Sequence, residues 1–228
     1  MALIAMAALG ARCVENTSVR VDADGYTHIY GEIYNDTEIQ GHSMRIHGRL
    51  LRSDGSVIAE QDAPLCPPEL PPHSQTFFDI CFDSPNLPPS ASFDVRMVGG
   101  TASDAGLPDP RIRLLGTSAS FSQGRATLRM DIRNESGVEY FNLNACIAGY
   151  DAAGKVIAAN SNPLQNYNDQ GTPIPGGLGS APDYVLMHLD DAPADLRTVR
   201  GWFWIAQDPT NTRGTYRPLM TGLVVVPR

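Results

Sequence analysis

The sequence lacks the short motifs on which most enzymes are built. No G-x-S-x-G, H-E-x-x-H, phosphate-binding P-loop or C-x-x-C occurs in its 228 residues. That removes the nucleophile elbow, the zinc-peptidase helix, the nucleotide cradle and the dithiol redox pair. No catalytic residue is assigned and no cofactor is expected. Charge is also scarce, at 18% of residues, and the net balance is −8. With no Lys/Arg-rich run to offset it, such a chain repels nucleic acid and anionic lipid, so no nucleic-acid partner is expected. Nor is there a hydrophobic run long enough to span a bilayer. The opening MALIAMAALGA is apolar only through Ala11 and lacks the basic residues that precede the core of a secretory signal. Arg12 stands directly before Cys13, where a lipoprotein signal needs a small residue, which excludes lipidation. A truncated signal, a mis-assigned start and a true segment of the fold remain three readings of residues 1–11.

Metal-ligand spacing is missing too. The five histidines, at 28, 42, 47, 73 and 188, are scattered. His42 and His47 are an odd distance apart, so on one strand they point to opposite faces. The segment NYNDQG, 166–171, has one acid, Asp169, and Gly177 stands where a calcium loop closes on glutamate. PGGLGSAP, 175–182, is glycine-rich but runs into a strand pattern, whereas a phosphate loop must run into a helix N-terminus. Asp22 and Asp24 read as turn residues, and Asp190-Asp191 are adjacent rather than set across a cleft. No metal site is expected. The four cysteines are Cys13, Cys66, Cys81 and Cys146. Cys66 and Cys81 are near enough in sequence to face each other across a hairpin and are the candidate disulfide. Cys146 reads as a small buried apolar residue. The count fits an oxidising compartment.

What the sequence does contain is punctuation and repetition. Gly at 21 and Pro at 18 break the chain into short elements, and no stretch sustains helical periodicity. YTHIYGEIYNDTEI, from Tyr26, and RATLRMDIRNESGV, from Arg125, are two versions of one text. Asn35 and Asn134 are 99 positions apart (134 − 35), as are the starts of GSVIA and GKVIA (154 − 55). One constant offset across some forty residues means that the strands and turns between have kept their lengths. Within each copy the pattern is period two. Ile29 and Ile33 alternate with Tyr26, His28, Tyr30 and Tyr34; Leu128, Met130 and Ile132 alternate with Arg129, Asp131 and Arg133. Asn-, Asp- and Gly-rich turns recur every eight to twelve residues, and six or seven short strands per copy predict a sandwich. Asn16, Asn35 and Asn134 each begin an N-x-S/T triplet; for the last two a turn role explains the asparagine better than glycosylation.

A hydrophobic–Gly–acid–hydrophobic–x–Asn strand (IYGEIYN, Ile29 to Asn35) is followed in copy two by Tyr150-Asp151 and then Ala152-Ala153-Gly154. Copy one keeps Leu50 and Gly55, and copy two has Ile147 and Gly149 where the motif has Phe and Leu. This arrangement is similar to the FxLYD-type immunoglobulin-like domains of bacteria and archaea. The resemblance implies a small, non-catalytic, extracytoplasmic domain that often occurs in tandem.

The expected architecture is all-β, two tandem immunoglobulin-like β-sandwich domains. Residues 1–11 are an apolar tail, 12–98 the first sandwich, 99–111 a linker stiffened by Pro108 and Pro110, and 112–228 the second sandwich with an extra C-terminal strand. Function is expected at faces and ends. Tyr26, His28, Tyr30 and Tyr34 form an aromatic stripe for a protein or carbohydrate partner, or pack beneath a neighbouring strand. Tyr167 and Asn168 are the reaching groups of the longer loop, 163–183. Leu223, Val224, Val225 and Val226 form a β-prone run that must find a sheet edge, in its own domain or in the next molecule, where it would build a fibre or surface array. The expected role is that of a structural or interaction protein, extracellular or at the cell surface. The alternative is a carbohydrate-binding protein.

Overall fold

A computed structural model of the chain describes residues 14–103, 111–137, 141–163, 166–168, 173–174, 182–207 and 218–227. The apolar tail 1–11, Cys13 and the prolines of the linker lie outside these residues. All regular elements among them are strands, paired antiparallel, and no helix is long and apolar enough to cross a membrane. The chain divides into two compact units. One is formed by residues up to Gly106 with Gly154–Ile157, and the other by the remainder.

In the first unit the strands are β1 (Val14–Val21), β2 (Tyr26–Tyr34), β3 (Gln40–Leu51), β4 (Val57–Cys66), β5 (Gln75–Pro85) and β6 (Ser92–Ser103). Their order in the sheet is β1-β2-β5-β4-β3-β6. Local chemistry sets the turns. Asp22 Oδ1 accepts from the N–H groups of Asp24 (3.0 Å) and Tyr26 (2.8 Å), and Gly25 takes the positive φ that closes the β1–β2 hairpin. Asp54 Oδ1 accepts the N–H of Ser56 (2.9 Å) to close β3–β4 in the same way.

The strand β4 belongs to both halves of this sheet. Through Pro64 it pairs with β3, and then Leu65 and Cys66 pair with Phe78 and Phe77 of β5. The two halves fold over one core made of Ile29, Ile33, Ile46, Leu50, Leu65, Phe78, Ile80 and Phe82, all at most 1% exposed. Each such side chain stabilises the fold by about 2 kcal/mol relative to exposure. Gly48 of β3 lies where the halves meet: a Cβ there would stand 2.6 Å from Ile80 Cδ1 and 3.2 Å from Ile29 Cδ1. The linker expected over 99–111 starts later than the composition suggests. Gly99, Thr101, Ala102 and Ser103 still pair with β3, because Gly100, at φ +119, lets the strand bend without leaving the sheet.

The second unit contains β7 (Ile112–Ser122), β8 (Arg125–Asn134), β9 (Phe141–Tyr150), most of β10 (Val156–Pro163, whose first two residues group with the first unit), β11 (Asn166–Asn168), β12 (Pro173–Ile174), β13 (Pro182–Leu189), β14 (Thr198–Gln207), β15 (Leu219–Met220) and β16 (Val224–Val225). One sheet runs β12-β11-β13-β8-β7. The other runs β10-β9-β14-β15, with β16 also on β14. Gly201 of β14 marks their packing: a Cβ there would meet Leu128 Cδ2 at 2.6 Å and Met187 Sδ at 2.8 Å, across the core. The expected alternation on β8 is present. Ala126, Leu128, Met130 and Ile132 are fully buried, while Arg125, Arg129 and Arg133 are exposed.

The neighbour relations of the first unit recur in the second. β1-β2-β5 corresponds to β7-β8-β13, and β4-β3-β6 to β10-β9-β14. The second unit adds strands at two places: β11 and β12 beside β13, and β15 and β16 beside β14.

Candidate functional site

Strand β2 is central, between β1 and β5, and its outward residues are mostly enclosed. Tyr30 is 8% exposed, His28 9% and Glu32 5%, and Phe77 of β5, facing the same way, is 1% exposed. Tyr26 is half-buried and Tyr34 is 38% exposed. The aromatic stripe is therefore not a free face. His28 and Tyr30 stack on each other, with ring centroids 5.2 Å apart and planes 10° from parallel. Spacing alone could not reveal this, because an outward face that is buried keeps the same period of two.

His28 is held from both sides. Its Nδ1 lies 2.7 Å from Asp79 Oδ1, and its Nε2 lies 3.3 Å from Asp22 Oδ2. Burial pulls the imidazole pKa down, but the hydrogen bonds and charges of Asp79 and then Asp22 outweigh it and raise the pKa. Protonated, the ring donates one N–H to each carboxylate. Asp22 moves the other way. Slight desolvation raises its carboxyl, but the N–H of Tyr26 and then His28 hold it below the ordinary value. Burial, then Asp79 and Asp22, push the Tyr30 phenol well above its usual range. Beside them, Glu32 accepts from Asn16 Nδ2 (2.6 Å) and Gln75 Nε2 (2.9 Å).

Cys81 sits opposite His28 in the β2–β5 register and carries a free thiol. Burial, then Asp79, Asp22 and Asp83, raise its pKa. Both nitrogens of His28 are engaged by carboxylates, so the ring does not serve this sulfur as a base. With both ring nitrogens so engaged and the thiol pKa raised by burial and the nearby carboxylates, the pair is not arranged as a Cys–His nucleophile.

The candidate disulfide Cys66–Cys81 is corrected by the structure. Cys66 and Cys146 are disulfide-bonded, while Cys81 is free. The β4–β5 register sets Cys66 opposite Phe77, and Cys81 is four residues further along β5 (81 − 77). At about 3.3 Å per residue that is roughly 13 Å, beyond the ~7 Å Cα reach of a disulfide. Cys146 is 1% exposed, so its expected burial is right but its thiol is not free.

Three other histidines of the first unit also meet acids. His42 Nδ1 is 2.7 Å from Glu69, His47 Nδ1 2.7 Å from Asp62, and His73 Nε2 2.8 Å from Glu38. Burial raises the Glu69 carboxyl despite the opposing pull of His42. Among the described residues no three His, Cys, Asp or Glu gather as metal ligands.

Tyr167 and Asn168 lie on β11, whose backbone pairs with β13 at Tyr184 and Asp183. Part of the expected loop is thus an added strand; Asp169 and residues 175–181 lie outside the described residues. The C-terminal run is divided. Leu219 and Met220 pair with Phe203 and Trp202, and Val224 and Val225 pair with Val199 and Thr198. Leu223 and Val225 are exposed, Val224 is half-buried and Val226 is 5% exposed. Thr221 fixes the crossing between β15 and β16: its N–H donates to the carbonyl of Gly201 (2.9 Å), and its Oγ1 accepts the N–H of Gly201 (3.0 Å). The edge that this segment occupies is that of β14 in its own chain.

No protein-family model matches the chain, and no curated protein does. Among solved structures it is similar to a penta-heme cytochrome c552 from Thermochromatium tepidum, at 15% identity and TM-score 0.30, over 56% of this chain and 44% of that one. It is also similar to a DUF3823 family protein from Bacteroides ovatus, at 11% identity and TM-score 0.31, over 82% and 91% of the two chains. A beta-glucuronidase from Parabacteroides merdae matches at 6% identity and TM-score 0.29, over 87% of this chain and 27% of its own. The chain thus spans less than half the length of the cytochrome. Likenesses at this level carry no argument about activity. What stands is the class: an all-β protein of antiparallel, sandwich-like sheets.

Proposed function

We propose that the chain is a non-catalytic, extracytoplasmic structural or interaction protein made of two tandem immunoglobulin-like units. The observation that carries this reading is the recurrence of one strand-pairing scheme in both units, with the chemically capable side chains of the first engaged in its own packing. A duplicated scaffold with its polar groups committed to structure offers edges and surfaces to partners. The disulfide-bonded state of Cys66 and Cys146 supports an oxidising compartment.

Two measurements test it. Protein from its native source, alkylated before and after reduction, is expected to label at Cys81 at once and at Cys66 and Cys146 only after reduction. Immediate labelling of all three would remove the extracytoplasmic part. Thermal unfolding against a panel of oligosaccharides and metabolites is expected to show no shift. A rise of several degrees, which corresponds to about 1 kcal/mol or more, would replace this reading with a ligand-binding one.

A further inference from the structure

The two units treat one corresponding edge differently. Gly48 pairs with Val95 in the first, and Ile147 with Gly201 in the second. Since 147 − 48 = 99 and 201 − 95 = 106, residues 92–97 of β6 correspond to 198–203 of β14. In β14 that span is the one covered by β15 and β16, at positions 198, 199, 202 and 203. In β6 no strand covers it among the described residues, and β6 ends its sheet. The consequence shows in burial. Val199, Gly201 and Phe203 are buried, while their counterparts Phe93, Val95 and Met97 are only half-buried against the core.

Part of this edge is regular, although the β3–β6 ladder shifts register beyond Met97. The end strands β1 and β7 are irregular, with register shifts at Glu15/Ser18 and Leu114/Gly116. From Ser92 to Met97 the β3–β6 register runs without a shift. A regular bare edge is a template for another strand.

We propose that residues 93–97 of β6 pair antiparallel with the same residues of a second copy, about a twofold axis at Val95. The sequence there, Phe93-Asp94-Val95-Arg96-Met97, is self-complementary in that arrangement. Phe93 falls opposite the second copy's residue 97, and Asp94 opposite its residue 96, twice by symmetry. The charges are ready for this. Arg96 is exposed and its side chain makes no ion pair among the described residues. Asp94 receives both of its Arg49 bonds on one oxygen, Oδ2, at 3.2 and 2.6 Å, which leaves Oδ1 for a second cation. About five residues a side bury less than the ~1,200 Å² of a stable complex, so the dimer is reversible and concentration-dependent.

The inference rests on the reading of an interaction protein and names its partner. Its test is sedimentation of the full chain with two charge variants. Wild type is expected to dimerise reversibly below about 0.5 mM, and Arg96→Glu and Asp94→Arg each to weaken that at least tenfold. Mixed, the two variants are expected to form a heterodimer, because Arg meets Glu and Arg meets Asp across the axis. Arg96→Glu leaves the Arg49–Asp94 pair intact, so it decides the matter if Asp94→Arg misfolds by circular dichroism. A monomeric wild type, a dimer indifferent to Arg96→Glu, or two well-folded variants that stay apart when mixed would overturn the proposal. None of these touches the thiol or ligand measurements, so the broader reading fails separately.

Discussion

Asn35 and Asn134, 99 positions apart (134 − 35), build the same turn with the same atoms. Asn35 Oδ1 accepts the N–H (3.1 Å) and the hydroxyl (2.7 Å) of Thr37. Asn134 Oδ1 accepts the N–H (2.9 Å) and the hydroxyl (2.6 Å) of Ser136. What reads as an N-x-S/T sequon is an Asx turn in which the hydroxyl residue is the second partner. Asn35 also donates Nδ2 to the carbonyls of Ile39 (2.8 Å), Leu70 and Pro71 (both 3.1 Å). It is fully buried. Asn35→Ala leaves these carbonyls without that donor and is expected to cost about 2–4 kcal/mol in urea unfolding. Asn35→Asp, which turns an acceptor toward them, is expected to cost at least as much, and peptide mapping should find no glycan at position 35.

The His28 arrangement sets a pH dependence with a definite sign. Its folded pKa lies above the ordinary 6.5. Its stabilisation is therefore full below pH 6.5 and lost as pH rises through the folded value. Asp22, lowered from 3.8, contributes above that pH and loses its contribution as pH falls through its folded value. Their shared window lies between about pH 4 and 6.5. Glu69, raised from 4.5, also loses stability as pH rises, so the comparison must be with a variant rather than across pH alone. His28→Gln is expected to be less stable than wild type by about 1–2 kcal/mol at pH 6, with the gap narrowing toward pH 8.5. A gap that widens as pH rises would contradict the ion-paired imidazolium.

Much of the architecture was legible because it rests on periods and offsets. Ile29, Ile33, Leu128, Met130 and Ile132 alternate on the core face as their period of two requires, and the recurring turns come from residues with a local reason to turn, such as Asp22 and Asn35. The site was less legible. Tyr30 and Arg129 occupy corresponding outward positions (129 − 30 = 99), yet one is buried and the other exposed. Burial of an outward face depends on what is packed over it, and no strand writes that in its own sequence. Cys66 and Cys81 show the same limit in another form: proximity along the chain was a poor guide once the register had carried Cys81 down β5 to His28.

The C-terminal segment is a structural part of the second unit, which makes truncation informative. Removing residues 219–228 strips the edge of β14 and takes away the Thr221 bonds to Gly201. Trp202 and Phe203, each 1% exposed, would lose cover along that edge. The expected result is a destabilisation of about 3 kcal/mol or more, with aggregation on concentration from the bared strand. A truncated protein as stable as the full chain would mean that β15 and β16 contribute no more than a frayed tail.

The core carries a compensated exchange between the two units. At one cross-strand position the first unit has Gly48 beside Val95, and the second has Ile147 beside Gly201. Small and large have changed strands while the pair has kept its place. Gly48→Val alone forces a side chain to within 2.6 Å of Ile80 Cδ1, an overpacking expected to cost about 2–3 kcal/mol. Val95→Gly alone removes half-buried apolar area and adds backbone freedom, at about 1–2 kcal/mol. Together they copy the second unit's placement of small and large residues across this pair. The double variant is expected to be more stable than the sum of the two by about 1 kcal/mol or more in a double-mutant cycle. Strict additivity would mean that each unit packs this position on its own terms, and that the exchange between them is coincidence.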